Sequence, residues 1–117
     1  MQIITSITND PKQITTLPLD NNETAILKLY YRARMQEWYF DLNYGSRNIN
    51  GLKITLAPNL LRQFRNIIPF GLAVYAEVGG VEPFEIEAFS SGRVKIAILN
   101  KSEVEQIEKE VYEISSL

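Results

Sequence analysis

The chain has 117 residues, with 12 basic and 14 acidic side chains giving a net charge of −2, and it contains neither cysteine nor histidine. Such a length suits one domain with a freestanding core, while the missing thiols and imidazoles remove disulfides, thiolate metal sites and the commonest bases and nucleophiles of neutral-pH enzymes. The near-neutral balance supplies no global field for nucleic acid or an anionic membrane, no window approaches the roughly 20 apolar residues that span a bilayer, and Met1–Ser6 lacks the basic stretch and apolar run of a secretory signal.

Residues 1–22 read as an entry segment, punctuated by the turn signals Asn9-Asp10-Pro11 and Asp20-Asn21-Asn22. A β core is expected from 23 to 99. It begins with a strand that sets Ala25, Leu27, Leu29 and Tyr31 against Thr24, Lys28 and Arg32. Ile26 and Tyr30 interrupt the polar phase, so this strand is expected to be covered on both sides, by another element or by a neighbouring subunit. The short loop Ala33-Arg34-Met35-Gln36 makes a hairpin with the next strand, where Trp38, Phe40, Leu42 and Tyr44 alternate with Glu37, Tyr39, Asp41 and Asn43.

A second hairpin through Gly45-Ser46-Arg47-Asn48 brings Leu52, Ile54 and Leu56 onto the core phase, and Pro58 ends it. Residues 59–66 fit one or two helical turns, with Leu60, Leu61 and Phe64 inward and Arg62 and Arg65 outward. After Pro69 and Gly71, a strand carries Leu72, Val74, Ala76 and Val78 as far as Gly79-Gly80. A long connection around Pro83, Phe84, Ile86 and Phe89 leads to an apolar strand over 93–99.

The C-terminal stretch, 101–115, is a predicted helix. Ser102 and Glu105 have capping-box spacing, and Val104, Ile107, Val111 and Ile114 form one apolar stripe on a charged helix. At this length it is marginal alone in water, so it must dock, on its own sheet or on another chain. Five to seven antiparallel strands with so little helix predict a mainly β fold, a small antiparallel barrel or sandwich with a short helical insert and a C-terminal α-helix.

The chemistry open to these residues is narrow. Glu37 and Asp41 on one strand phase, or Glu82, Glu85 and Glu87 in the long connection, are the carboxylates available for acid–base work or a hard cation. Solvated side chains are the expectation for both groups, with no catalytic residue, cofactor or metal. Gly79-Gly80 and Gly92 match no phosphate-binding pattern. Arg32, Arg34, Arg47, Arg62 and Arg65 with Tyr30, Tyr31 and Tyr39 are the ingredients of single-strand nucleic-acid binding, but Arg and Tyr also favour protein interfaces, and the charge balance gives no reason to expect nucleic acid. Trp38, Phe40, Leu42 and Tyr44 are assigned to the core. Tyr39, Tyr30, Ile26 and Arg32 make a partly apolar outer face, the kind of surface that meets another protein or a sugar.

The order and spacing of Trp38-Tyr39-Phe40-Asp41-Leu42, Gly51-Leu52-Lys53-Ile54-Thr55-Leu56-Ala57-Pro58, Leu60-Leu61, Ile68-Pro69-Phe70-Gly71-Leu72 and Glu82-Pro83 resembles small baseplate plug proteins of contractile-tailed phages, best known from a cyanophage baseplate. The likeness spans roughly Ile14 to Leu99. It implies a non-enzymatic virion protein near the tail axis, at the junction of hub, spike and tube, assembled in the host cytoplasm and held by other baseplate, hub and tail-tube proteins in several symmetric copies. Ile26, Tyr30, Arg32 and Tyr39, with the helix stripe Val104, Ile107, Val111 and Ile114, are the candidate protein interface. The alternative is a ligand-binding β-module, such as a carbohydrate-binding domain with exposed aromatics.

Overall fold

The computed structural model describes residues 1–77 and 80–113, so Val78, Gly79 and Ile114, named above, lie outside the described residues. Seven strands occur among them: β1 (Gln2–Ile3), β2 (Lys12–Pro18), β3 (Thr24–Arg32), β4 (Glu37–Tyr44), β5 (Arg47–Lys53), β6 (Gly71–Ala76) and β7 (Val94–Leu99). They form two antiparallel sheets, one in the order β2-β3-β4-β5 and one in the order β1-β7-β6. The fold is mainly β, and the two sheets are not closed into a barrel. No helix among the described residues is long and apolar enough to cross a membrane.

The period-2 alternation of β3 and β4 does what it predicts. Cross-strand partners share a face, and the pairs Leu27↔Leu42, Leu29↔Phe40 and Tyr31↔Trp38 all point to one side. These side chains meet Leu72, Val74, Val94, Ile96 and Ile98 of the other sheet in one core cluster. Segment 1–22, read as an entry, supplies a strand to each sheet. Its β2 pairs along β3 from Lys12↔Tyr30 to Pro18↔Thr24, and buries Leu17 beside Ala25.

β5 departs from simple alternation. Phe40 pairs with Leu52 and Leu42 with Ile49, so three steps on β5 answer two on β4. This bulge turns Ile49 inward as well as Leu52. Gly51 adopts a left-handed φ of 72°, which glycine reaches without a Cβ clash. Its N–H is taken by Asp41 Oδ1 at 2.7 Å.

Both faces of β6 and β7 are covered within the chain, which explains their almost unbroken apolar runs. One face joins the main core, and the other, with Ala73, Ala97 and Leu99, lies under Val104 and Ile107. By contrast, among the described residues the chain covers β3 on one face only, which leaves the other to the neighbouring subunit that the sequence reading allowed for.

The helix α1 (Lys101–Ile107) therefore docks on its own sheet, and continues as a π-helical turn over Glu108–Glu113. Its cap is Asn100 rather than Ser102. Asn100 Oδ1 accepts the Glu103 N–H at 2.8 Å while Glu103 Oε1 accepts the Asn100 N–H at 3.1 Å. The capping-box spacing recurs two residues earlier, and the end of β7 at Leu99 leaves Asn100 extended, as a cap requires. The wider turn carries Glu108 to the Arg62 guanidinium, in two hydrogen bonds of 2.7 and 3.1 Å, and Arg62 lies 3.9 Å from the Tyr112 ring centroid.

Of the one or two helical turns expected over 59–66, one forms, as a 3₁₀ turn at Arg62–Phe64, with Leu61 buried and Leu60 and Phe64 packed on the core. Asn59 before it is the one polar side chain buried with the core among the described residues. Its Oδ1 accepts the N–H groups of Leu61 and Leu72 at 3.0 and 3.2 Å. Gly71 makes room for it, since a Cβ there would lie 2.6 Å from Asn59 Oδ1 and 3.0 Å from Val104 Cγ2.

Candidate functional site

The outward phase of the four-stranded sheet brings half of the candidate interface together. Register places Arg32 opposite Glu37, Tyr30 opposite Tyr39, Lys28 opposite Asp41 and Ile26 opposite Asn43, with β2 adding Lys12 beside Tyr30, Ile14 beside Lys28 and Thr16 beside Ile26. On the far side Lys53 lies opposite Tyr39. Ile26, Tyr30, Arg32 and Tyr39 thus share one open surface.

That surface is ordered before anything meets it. The Tyr30 and Tyr39 rings stack, with centroids 5.8 Å apart and planes 17° apart. The Arg32 guanidinium sits 4.7 Å from the Tyr39 centroid and 5.7 Å from that of Tyr30, a geometry attractive to the ring quadrupole. The Tyr39 hydroxyl donates to Glu37, whose other oxygen is 3.1 Å from Lys53 Nζ. Tyr30 Oη donates to Asp41 Oδ1 at 3.2 Å.

The titration of these groups follows from their partners. The Tyr39 hydrogen bond, then Lys53, holds Glu37 below the usual carboxylate value, and the same bond to Glu37 pushes Tyr39 up. Burial, then the Asp41 charge, raises Tyr30. Each hydroxyl is a satisfied donor, so the rings are fixed without being withdrawn from the surface, which lowers the ordering entropy that binding must overcome.

Glu37 and Asp41 are thereby structural acceptors. Four residues apart on an extended strand, they are separated by about 13 Å at the backbone, and each is held by its own hydrogen-bond partners. In the long connection Glu82 accepts the Leu56 N–H at 2.8 Å and Glu85 pairs with Arg93 at 3.2 Å. The five arginines do not gather: Arg62 and Arg65 hold Glu108, Arg32 is stacked on tyrosine, and Arg34 and Arg47 flank opposite ends of β4.

The helix half of the candidate list is placed differently. Val104 is buried and Ile107 half-buried against Ala73, Ala97, Leu99 and Tyr75 of the same chain. Val111 is 40% exposed, and Ile114 lies outside the described residues. Trp38 is fully buried, donates Nε1–H to the Glu85 carbonyl at 3.0 Å and meets Phe89 edge-on at 5.5 Å, so it offers no platform for a sugar.

Sequence reasoning missed Ile14, at 68% the most exposed of the large aliphatic side chains among the described residues. Its signal was the phase of Lys12, Ile14 and Thr16 against buried Leu17, too short a run to stand out within an irregular segment.

No curated protein matches the chain. A family model described as cyanophage baseplate Pam3 plug gp18 matches residues 1–101, which takes in all seven strands and stops at the first residue of α1. A matched region containing both sheets, and therefore the whole outer face just described, identifies the chain as a member of the cyanophage baseplate plug family, a structural component of the phage tail baseplate.

Proposed function

We propose that this protein acts as a plug at the junction of hub and tail tube, working by fit and contact rather than by turnover. The family match over 1–101 carries this reading. On it, the chain is one domain, two sheets packed as a sandwich with the C-terminal helix as an appendage, assembled in the host cytoplasm into the virion. The contacts run through the outer face of the four-stranded sheet, where Ile26, Tyr30, Arg32 and Tyr39 combine the aromatic and arginine side chains that dominate protein interfaces. A sequence without histidine or cysteine has few routes to catalysis, which supports a non-enzymatic role. Neighbouring hub and tube chains and further symmetric copies of this chain are the partners.

The test is complementation. Particles made without this chain are mixed with purified wild-type protein or with the Tyr39→Ala/Arg32→Ala variant, and incorporation is read by quantitative gel and by electron microscopy of the baseplate. Wild-type protein is expected to enter and the variant to enter poorly while unfolding at an unchanged temperature. Failure of the wild-type protein to associate with tail particles would refute the baseplate role. Equal incorporation of the variant would move the contact to another face.

A further inference from the structure

We propose that the outer face of the four-stranded sheet seats the 81–87 loop of a second copy of this chain, in a head-to-tail contact. The two surfaces are complementary in both charge and apolar content. On the face, Ile14 and Ile26 are 68% and 46% exposed and lie diagonally across the β2–β3 pairing. Around them stand Lys12, Lys28, Arg32 and Lys53, against two carboxylates on the same phase, Glu37 and Asp41. Four cations less two anions leaves +2 on this face, in a chain whose total is −2. Glu37 is already taken by Tyr39 and Lys53, and Asp41 by Tyr30 and Gly51. Among the described residues Lys12, Lys28 and Arg32 have no carboxylate at ion-pair distance.

The loop is the converse. Val81 and Phe84 are each 44% exposed, and Glu82, Glu85 and Glu87 flank them. Arg93, which pairs with Glu85 and lies 5.3 Å from the Phe84 centroid, is the cation set against them. Three carboxylates less one guanidinium leaves −2 here. The loop is held in shape by buried Pro83 and by Tyr31 and Trp38, which donate to the carbonyls of Phe84 and Glu85 at 2.7 and 3.0 Å.

Tyr31 and Trp38 point to the opposite side of the sheet from Tyr30 and Tyr39, because successive side chains on a strand alternate. The loop therefore lies on the core side of the hairpin end and cannot fold back over its own outer face. Each copy offers both surfaces at separate places, so the contact is heterologous and closes into a ring or runs on as a filament. It rests on the assembly reading above and supplies its partner: another copy, arranged around an axis.

Two variants separate the surfaces. Ile14→Ser/Lys28→Glu damages the face and leaves the loop, whereas Phe84→Ser/Glu87→Lys damages the loop and leaves the face. Analytical ultracentrifugation of the full chain is expected to show wild-type self-association that weakens as salt is raised. Each variant alone should associate roughly tenfold more weakly or worse. An equimolar mixture of the two should form a one-to-one complex, because the loop of the first meets the intact face of the second, and that complex also shows that both variants are folded. A wild-type monomer at millimolar concentration, self-association unchanged in both variants, or a mixture that stays monomeric would overturn the contact. Self-association of this kind by a protein that never enters tail particles would support the contact while refuting the baseplate role; entry of wild type and both variants alike would do the reverse.

Discussion

The outward faces of the two sheets have opposite fates. On the three-stranded sheet, Ala73 and Ala97 let a helix approach closely, and Val104 and Ile107 of the same chain cover them. On the four-stranded sheet the outward residues include tyrosines, cations and two isoleucines, and the described residues place nothing over them. The closed face is apolar and small-featured, and it would be a liability in water. The open face keeps every tyrosine hydroxyl hydrogen-bonded and is ringed with charge, so it tolerates water while retaining apolar area to bury. One surface serves stability, and on the proposed function the other is kept for encounter.

The contrast can be broken most severely in the core beneath the open face. Trp38→Ala should cost about 3–5 kcal/mol in urea unfolding, as large-to-small core changes do, and leaves the Glu85 carbonyl without its donor. A milder and more discriminating pair is Val104→Ala against Ile26→Ala. Val104 is buried between helix and sheet, so its truncation should cost roughly 2 kcal/mol and speed amide exchange over 104–112. Ile26 is on the open face and should change stability by no more than about 0.5 kcal/mol; a similar loss at both sites would erase the distinction.

The turn of the open sheet allows a gain. Gln36 has a φ of 52°, which costs a non-glycine residue roughly 1–2 kcal/mol. Part of that is offset by the greater unfolded-state freedom of glycine. Gln36→Gly should raise stability by about 0.5–1 kcal/mol with the face unaltered.

The smallest effect is electrostatic. Glu37 is depressed in the folded state, so its contribution is present above the ordinary carboxylate value and is lost as pH falls through the folded one. Tyr39 is raised, so its contribution is present below the ordinary phenol value and is lost as pH rises through the folded one. An NMR titration of Tyr39→Phe should move the Glu37 carboxyl back toward its ordinary value, with little change in stability at neutral pH.

What the sequence revealed follows from how local each signal is. The β3-β4-β5 hairpins are written in alternation and short turns, and the phase of Tyr30, Arg32 and Tyr39 could be read from the same pattern. The pairing of β1 with β7 joins residues nearly a chain apart, and no local pattern announces it. The bulge at Gly51 breaks the period itself, which is why Ile49 went unnoticed. Docking of the helix in cis sets Val104 and Ile107 on Ala73, Ala97 and Leu99 and brings Glu108 to Arg62 and Arg65 across more than 40 positions, and contacts at such separations carry no address. Two overlapping capping patterns precede the helix, and only the end of β7 selects between them.

Position 71 has a genetic corollary. The missing methyl there is where Asn59, ahead of the 3₁₀ turn, the first residue of β6 and Val104 of the terminal helix come within van der Waals reach of one another. Gly71→Ala would strain all three at once by about 1–3 kcal/mol, enough to thin the folded population when warm and not when cool. A phage carrying that allele should form plaques at low temperature and fail at high temperature, giving a conditional handle on when during tail construction the protein is needed.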